Sequence, residues 1–138
     1  MSDADVGADF VRRFASYWEA PDPRRLHELL AEDVTLRAPL GPTTHGLPAA
    51  RAAFTRLLGT IPDLHAVVDR WSARDETVFI EFRLRGTIGG RMVEWPAVDR
   101  FTLRGDLATE RVSYFDVLPL LGPVLRSPRV LWNLVRGG

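Results

Sequence analysis

After Pro62 the chain alternates apolar and polar residues over four long stretches, at about 65 to 73, 77 to 86, 91 to 104 and 108 to 117. A two-residue period puts successive side chains on opposite faces of a strand, so each stretch is read as extended. Turn signals separate them: Arg74-Asp75-Glu76, Gly89-Gly90 and Gly105-Asp106 stand between consecutive stretches. Consecutive strands joined by such short turns form an antiparallel meander. A sheet with one apolar face must cover that face, which makes what precedes Pro62 decisive.

What precedes it is helical. Residues 4 to 20 place Val6, Phe10, Phe14, Tyr17 and Trp18 at helical spacing, with Arg12, Arg13 and Glu19 opposite, the pattern of an amphipathic helix. Pro21 ends it. Asp22 is a suitable N-cap with Pro23 at the first helical position, and Leu26, Leu29 and Leu30 form the buried side of a short second helix. A strand over Val34–Ala38 and a loop over Pro39–Thr44 follow, and Pro48 opens a third helix with Ala49, Ala52, Ala53, Leu57 and Leu58 inward, closed by Gly59. Helices followed by strands predict an α+β fold, three N-terminal helices packed on one face of a strongly curved antiparallel sheet. At 138 residues and 15.5 kDa a single domain is expected. From Leu118 the apolar pattern is broken by Pro119, Pro123 and Pro128, and 118–138 is read as a C-terminal lid over the open end of the sheet. The arginines 126, 129 and 136 leave a membrane-surface helix as the weaker alternative.

Composition narrows the chemistry. All 18 basic residues are arginine, and there is no cysteine. Without an amine that deprotonates near neutrality, Schiff-base and lysine-base mechanisms are excluded; without thiols, so are cysteine nucleophiles, thiolate metal sites and disulfides. The formal charge is zero, which argues against a nucleic-acid partner. No apolar run approaches a membrane span, and the acidic start Met1-Ser-Asp-Ala-Asp resembles no export signal, so a cytoplasmic protein is expected. No histidine pair has metal-ligand spacing, and neither a metal nor a cofactor is expected.

Carboxylates carry the remaining prospects. On the third strand Trp95, Ala97, Asp99, Phe101 and Leu103 share a face, and on the second Val78, Ile80, Phe82 and Leu84 look interior, leaving Glu81, Arg83 and Arg85 outside, solvated or against a second subunit. In the last strand Val112, Tyr114 and Asp116 are assigned to the interior, and Arg111, Ser113 and Phe115 to the opposite face. Asp99 and Asp116 would then be two acids in apolar surroundings, where burial raises a carboxyl pKa and suits it to proton transfer. The alternative is that both accept structural hydrogen bonds at strand ends. Of the histidines, His45 in the loop before the third helix is the best placed for binding, His65 opens a strand, and His27 lies on a solvent-facing helix side. Asp22, Asp33, Asp63 and Asp69 read as caps and turns.

Over nearly its whole length the chain resembles the SnoaL-like branch of the nuclear transport factor 2 superfamily. The resemblance is carried by Phe10-Val-Arg-Arg-Phe-Ala-Ser-Tyr-Trp18, Leu26-His-Glu-Leu-Leu-Ala-Glu-Asp-Val34, the loop Pro39–Gly46, Pro62-Asp-Leu64 and Ser113-Tyr-Phe-Asp-Val-Leu118. It implies a cone-shaped α+β barrel with an apolar pocket. Against ketosteroid isomerase, Asp99 falls at the hydrogen-bond-donating aspartate, while Phe14 and Ala38 replace the tyrosine and the base, so that mechanism is rejected. The last strand is similar to polyketide cyclases and limonene epoxide hydrolase, with Asp116 at their acid or base; the hydrolase also needs an arginine between two acids, and this register supplies no inward one. The resulting expectation is a cofactor-independent cyclase or isomerase acting on a hydrophobic polyketide-like or terpenoid substrate. Asp116 would be acid/base, Asp99 would polarise a carbonyl, and Tyr114 would orient Asp116. Phe14, Trp18, His45, Phe54, Phe82 and Trp95 would contact substrate. Epoxide hydrolysis and a non-catalytic ligand-binding or dimerisation module are the alternatives, and a homodimer is expected.

Overall fold

A computed structural model of the chain describes residues 2–118 together with Gly122, Arg126, Arg129, Trp132 and Asn133. Helix α1, Asp3–Glu19, begins with a capping box: Asp5 N–H donates to Ser2 Oγ at 3.2 Å, and Ser2 N–H donates to the Asp5 carboxylate at 3.1 Å. The second helical segment is a 3₁₀ helix, Pro23–Glu28, capped by Asp22, which accepts from Arg24 N–H at 2.9 Å. Only Leu26 is buried from within it; Leu29 caps its end and Leu30 already belongs to strand β1, Leu30–Arg37. A two-residue strand β2, Thr44–His45, leads into α2, Leu47–Thr60. Gly59 lies inside α2, which Ile61 closes.

Strands β3 (His65–Arg74), β4 (Thr77–Ile88), β5 (Arg91–Arg104) and β6 (Leu107–Phe115) form the expected meander. Between β4 and β5 the two-residue turn places both Gly89 and Gly90 at left-handed φ, 59° and 79°, as such a hairpin requires. The six-stranded order is β2-β1-β6-β5-β4-β3. The sheet is not wholly antiparallel: β1 joins β6 in parallel, a pairing that needs a long connection, here β2, α2 and the strands β3 to β5. Register shifts interrupt the β1–β6, β3–β4 and β5–β6 ladders, and bulges of this kind bend and twist a sheet.

The inner face of the curved sheet holds the core. Rings of Phe10 and Phe101 lie 4.8 Å apart, Phe14 and Phe82 5.2 Å, and Phe14 and Phe101 5.6 Å, so α1 is keyed into β4 and β5 by tilted aromatic contacts. Tyr17 is buried and donates its hydroxyl to the Asp22 carbonyl at 3.1 Å, which fixes the end of α1 to the 3₁₀ turn. Arg13 ties three elements: it donates to the carbonyls of Glu28 and Asp106, each at 2.6 Å, and to Asp9. On the outer face Arg83 bridges Asp69 and Glu94, Arg85 also pairs with Glu94, and Arg70 lies 3.5 Å from Glu81. No helix among the described residues is long and apolar enough to cross a membrane. The lid expected over 118–138 lies mostly outside the described residues.

At Gly7 helix α1 lies close against strand β3. A Cβ built there stands 2.5 Å from the Ala73 Cβ, a distance that forces helix and strand apart. Gly7→Ala is therefore expected to lower stability by about 1–3 kcal/mol despite alanine's better helix propensity. Urea unfolding checks this; an unchanged or raised midpoint refutes it.

Candidate active site

The hairpin β5–β6 builds the site. Across it Ala97 faces Phe115, Asp99 faces Ser113 and Phe101 faces Arg111, so all six share the inner face. Nearer the turn, however, Leu103 pairs with Ala108 while Thr102 pairs with Glu110. Thr109 is thus an extra residue in β6, and its hydroxyl donates to the Thr102 carbonyl at 3.3 Å. One inserted residue turns the rest of a strand over.

That bulge corrects the reading of β6. Ala108 is inward and wholly buried, and a strict two-residue period from it would carry Val112, Tyr114 and Asp116 inward. Instead Tyr114 is 54% exposed on the outer face, and Asp116 is exposed beyond the end of the strand, where its Oδ1 accepts the Leu118 N–H at 2.9 Å. The pairing of Asp116 with Asp99, and the orienting of Asp116 by Tyr114, are not formed. Arg111, Ser113 and Phe115, assigned to the outside, line the interior. The inward arginine missing from the expected register is therefore present.

Above this face lies a cavity of about 220 Å³. Trp18, Phe54, Phe82 and Trp95 line it, with Leu36 and Ile61, and Asn133 of the C-terminal segment borders it. Phe14 does not; it packs behind the wall against Trp18, Phe82 and Phe101. His45 is exposed on β2 and its neighbour Thr44 lines the cavity instead, because alternation along so short a strand sends one residue in and the next out. His27 and His65 lie outside the cavity, their Nδ1 atoms 3.0 and 2.9 Å from the carbonyls of Arg24 and Asp63. Among the described residues no cluster of His, Asp or Glu suits a metal ion.

Two ionisable groups from the hairpin meet in this greasy space. Asp99 is 3% exposed and accepts a hydrogen bond from Ser113 Oγ at 2.5 Å on Oδ1. Burial pushes its carboxyl above the ordinary 3.8, against the opposing pull of Arg111 and of the Ser113 hydrogen bond. Burial likewise lowers the Arg111 guanidinium, opposed by Asp99. Arg111 Nε is shut off from solvent and has no hydrogen-bond partner among the described residues. The arrangement offers one carboxyl suited to carry a proton, one fixed cation, and a hydrophobic chamber around both.

A family model described as the SnoaL-like domain matches residues 11–111. The chain belongs to the SnoaL-like family. The matched span includes Asp99 and stops at Arg111, so Ser113 lies just beyond it. No curated protein sequence matches this SnoaL-like protein. Among solved structures it is similar to a candidate SnoaL-like polyketide cyclase from Jannaschia sp. CCS1, with TM-score 0.77 and 22% identity over 90% of this chain and 94% of that one. It is also similar to a protein of ketosteroid isomerase-like fold from Catenulispora acidiphila in complex with trimethylamine, with TM-score 0.75 and 23% identity over 83% and 90%. A third is IdmH, a candidate polyketide cyclase from Streptomyces antibioticus, with TM-score 0.73 and 18% identity over 86% and 97%. At these identities the likeness is one of fold.

The burial of Asp99 has a consequence for stability. A carboxyl whose folded pKa lies above its unfolded value stabilises the fold fully below about pH 3.8, and that contribution is lost as pH rises through the folded value. Asp99→Asn removes the loss. Urea unfolding of both proteins near pH 4 and near pH 7 should show the Asn variant gaining on wild type at the higher pH. An identical difference at the two pH values would contradict a raised Asp99.

Proposed function

We propose that this SnoaL-like protein is a cofactor-independent cyclase or isomerase that moves a proton on a hydrophobic, polyketide-like or terpenoid substrate, with Asp99 as general acid/base. The observation that carries the reading is a carboxyl buried in the wall of an apolar cavity with one oxygen, Oδ1, held by Ser113. A carboxyl held above its ordinary range is a stronger base when ionised and an acid still available nearer neutrality. Ser113 fixes its orientation, and Trp18, Phe54, Phe82 and Trp95 hold the substrate by burying its apolar skeleton. The description of two structural neighbours as candidate polyketide cyclases supports the class of reaction. Proton abstraction next to a carbonyl is the step common to aldol cyclisation and to isomerisation, and Asp99 is the group that would take the proton.

Epoxide hydrolysis by an acid–arginine–acid set is disfavoured. Arg111 supplies the arginine, but Asp99 is the one acid lining the cavity among the described residues. For the steroid isomerase mechanism, Ala38 borders the cavity without a base to offer.

Proton transfer is testable with 2-tetralone, a bicyclic ketone whose α-protons exchange with deuterium oxide and are followed by NMR. The protein is expected to accelerate exchange, Asp99→Asn to reduce the acceleration by about 10²- to 10⁴-fold, and Asp116→Asn to leave it unchanged. Binding of the ketone without accelerated exchange would favour the non-catalytic ligand-binding module; equal exchange by wild type and Asp99→Asn would remove Asp99 from the chemistry.

We also infer that two copies pair through the outer sheet face. Phe79 and Tyr114 stand on it 44% and 54% exposed, with Val98 directly opposite Tyr114 across the β5–β6 ladder. Large exposed apolar side chains on one face mark an association surface. Light scattering at micromolar concentration should give about twice the 15.5 kDa chain mass, and Tyr114→Arg should shift it to the monomer. A monomeric wild type refutes the pairing.

A further inference from the structure

We propose that Arg111 is the anchor for an anionic oxygen, and that the natural ligand of the cavity is a hydrophobic carboxylate. The inference rests on the reading of the cavity as a substrate site and adds to it the charge of what binds.

Among the described residues ten other arginines have a carboxylate partner: Arg12, Arg13, Arg24, Arg25, Arg37, Arg70, Arg83, Arg85, Arg100 and Arg104. All of these pairs lie at the surface or partly exposed. Arg111 has no such partner. It lines the cavity and is only partly exposed, its Nε is out of contact with solvent, and that N–H finds no acceptor among the described residues. Guanidinium stays protonated in proteins, so burial cannot be relieved by losing the charge. A buried cation and an unused N–H are both unfavourable unless a partner arrives.

Asp99 is not that partner. It shares the cavity and is felt by Arg111 as a charge, yet no ion pair joins the two among the described residues, and its Oδ1 is taken by Ser113. Its burial also favours the neutral carboxyl, which would leave Arg111 without a counter-charge. A ligand entering the cavity can bring that partner. An enolate formed during reaction would exist only transiently, whereas the guanidinium carries its charge throughout, so a permanent anion is the better match. Carboxylate suits the planar fork of guanidinium, and an apolar skeleton behind it suits the tryptophan- and phenylalanine-lined wall.

The test compares 2-naphthoate with 2-naphthalenemethanol, which share a bicyclic skeleton and differ in charge. Trp18 and Trp95 line the cavity and report binding through fluorescence. Wild type is expected to bind the acid at least about tenfold more tightly than the alcohol, and Arg111→Gln to abolish the preference. Equal affinities in wild type overturn the proposal, as does a preference that survives in Arg111→Gln. The wild-type comparison decides the matter even where the variant fails to fold. Failure of the catalytic reading is separate: if Asp99→Asn leaves deuterium exchange intact but the acid preference holds, the anion anchor stands and the proton-transfer role falls. Binding of neither compound at millimolar concentration overturns the cavity as a ligand site, and the anchor with it.

Discussion

One extra residue in β6 decides what the interior of this protein contains. Because Thr109 has no opposite number on β5, every side chain after it changes sides. Without that insertion Glu110, Val112, Tyr114 and Asp116 would face the helices, bringing two acids and no inward cation from this strand. With it, Arg111 and Ser113 enter opposite Phe101 and Asp99, and Glu110 instead pairs on the exposed side with Arg37 and Arg100. The same irregularity bends the hairpin, so the chemistry of the cavity and the curvature that makes room for it have a common origin.

Much of the architecture was legible because local patterns suffice for it. The helical spacing of Phe10, Phe14, Tyr17 and Trp18, the cap at Asp22 and the Gly89-Gly90 turn each act within a few residues, and the elements they define lie where the pattern puts them. Asp99 was legible for the same reason: Trp95, Ala97, Phe101 and Leu103 leave no doubt about which face of β5 is apolar. In β6 neither face is cleanly apolar. Val112 and Tyr114 lie on one, Phe115 on the other, and alternation alone cannot choose between them. The bulge is a property of the pairing with β5, which no window on β6 contains. The parallel contact of β1 with β6 is not legible for a similar reason, since it joins segments more than 70 residues apart in the chain. Phe14 was misplaced by distance rather than direction: it points at the cavity wall but stands one layer behind it.

That second layer matters to the chemistry. Phe10, Phe14, Phe82 and Phe101 interlock at ring separations of 4.8 to 5.6 Å, and Phe101 and Phe82 flank Asp99 on the inner face of β5 and β4. Close packing on this side leaves no room for water behind the carboxyl, so part of the desolvation that raises Asp99 comes from the core itself. Stability and reactivity are set against one another here: the packing that holds α1 on the sheet also keeps an acid in surroundings that disfavour its charge.

The absence of lysine gives the cavity its last property. Arg111 cannot be neutralised in the working pH range, so of the Asp99–Arg111 pair only Asp99 titrates, and the pair alternates between zero net charge and one positive charge. An anion approaching Arg111 is favoured when Asp99 is neutral and opposed when it is charged. By linkage the converse holds, and an anion bound at Arg111 favours the protonated form of Asp99. Binding and the arming of an acid are then one equilibrium, set by two side chains on adjacent strands that share one cavity because β6 carries a residue more than its partner.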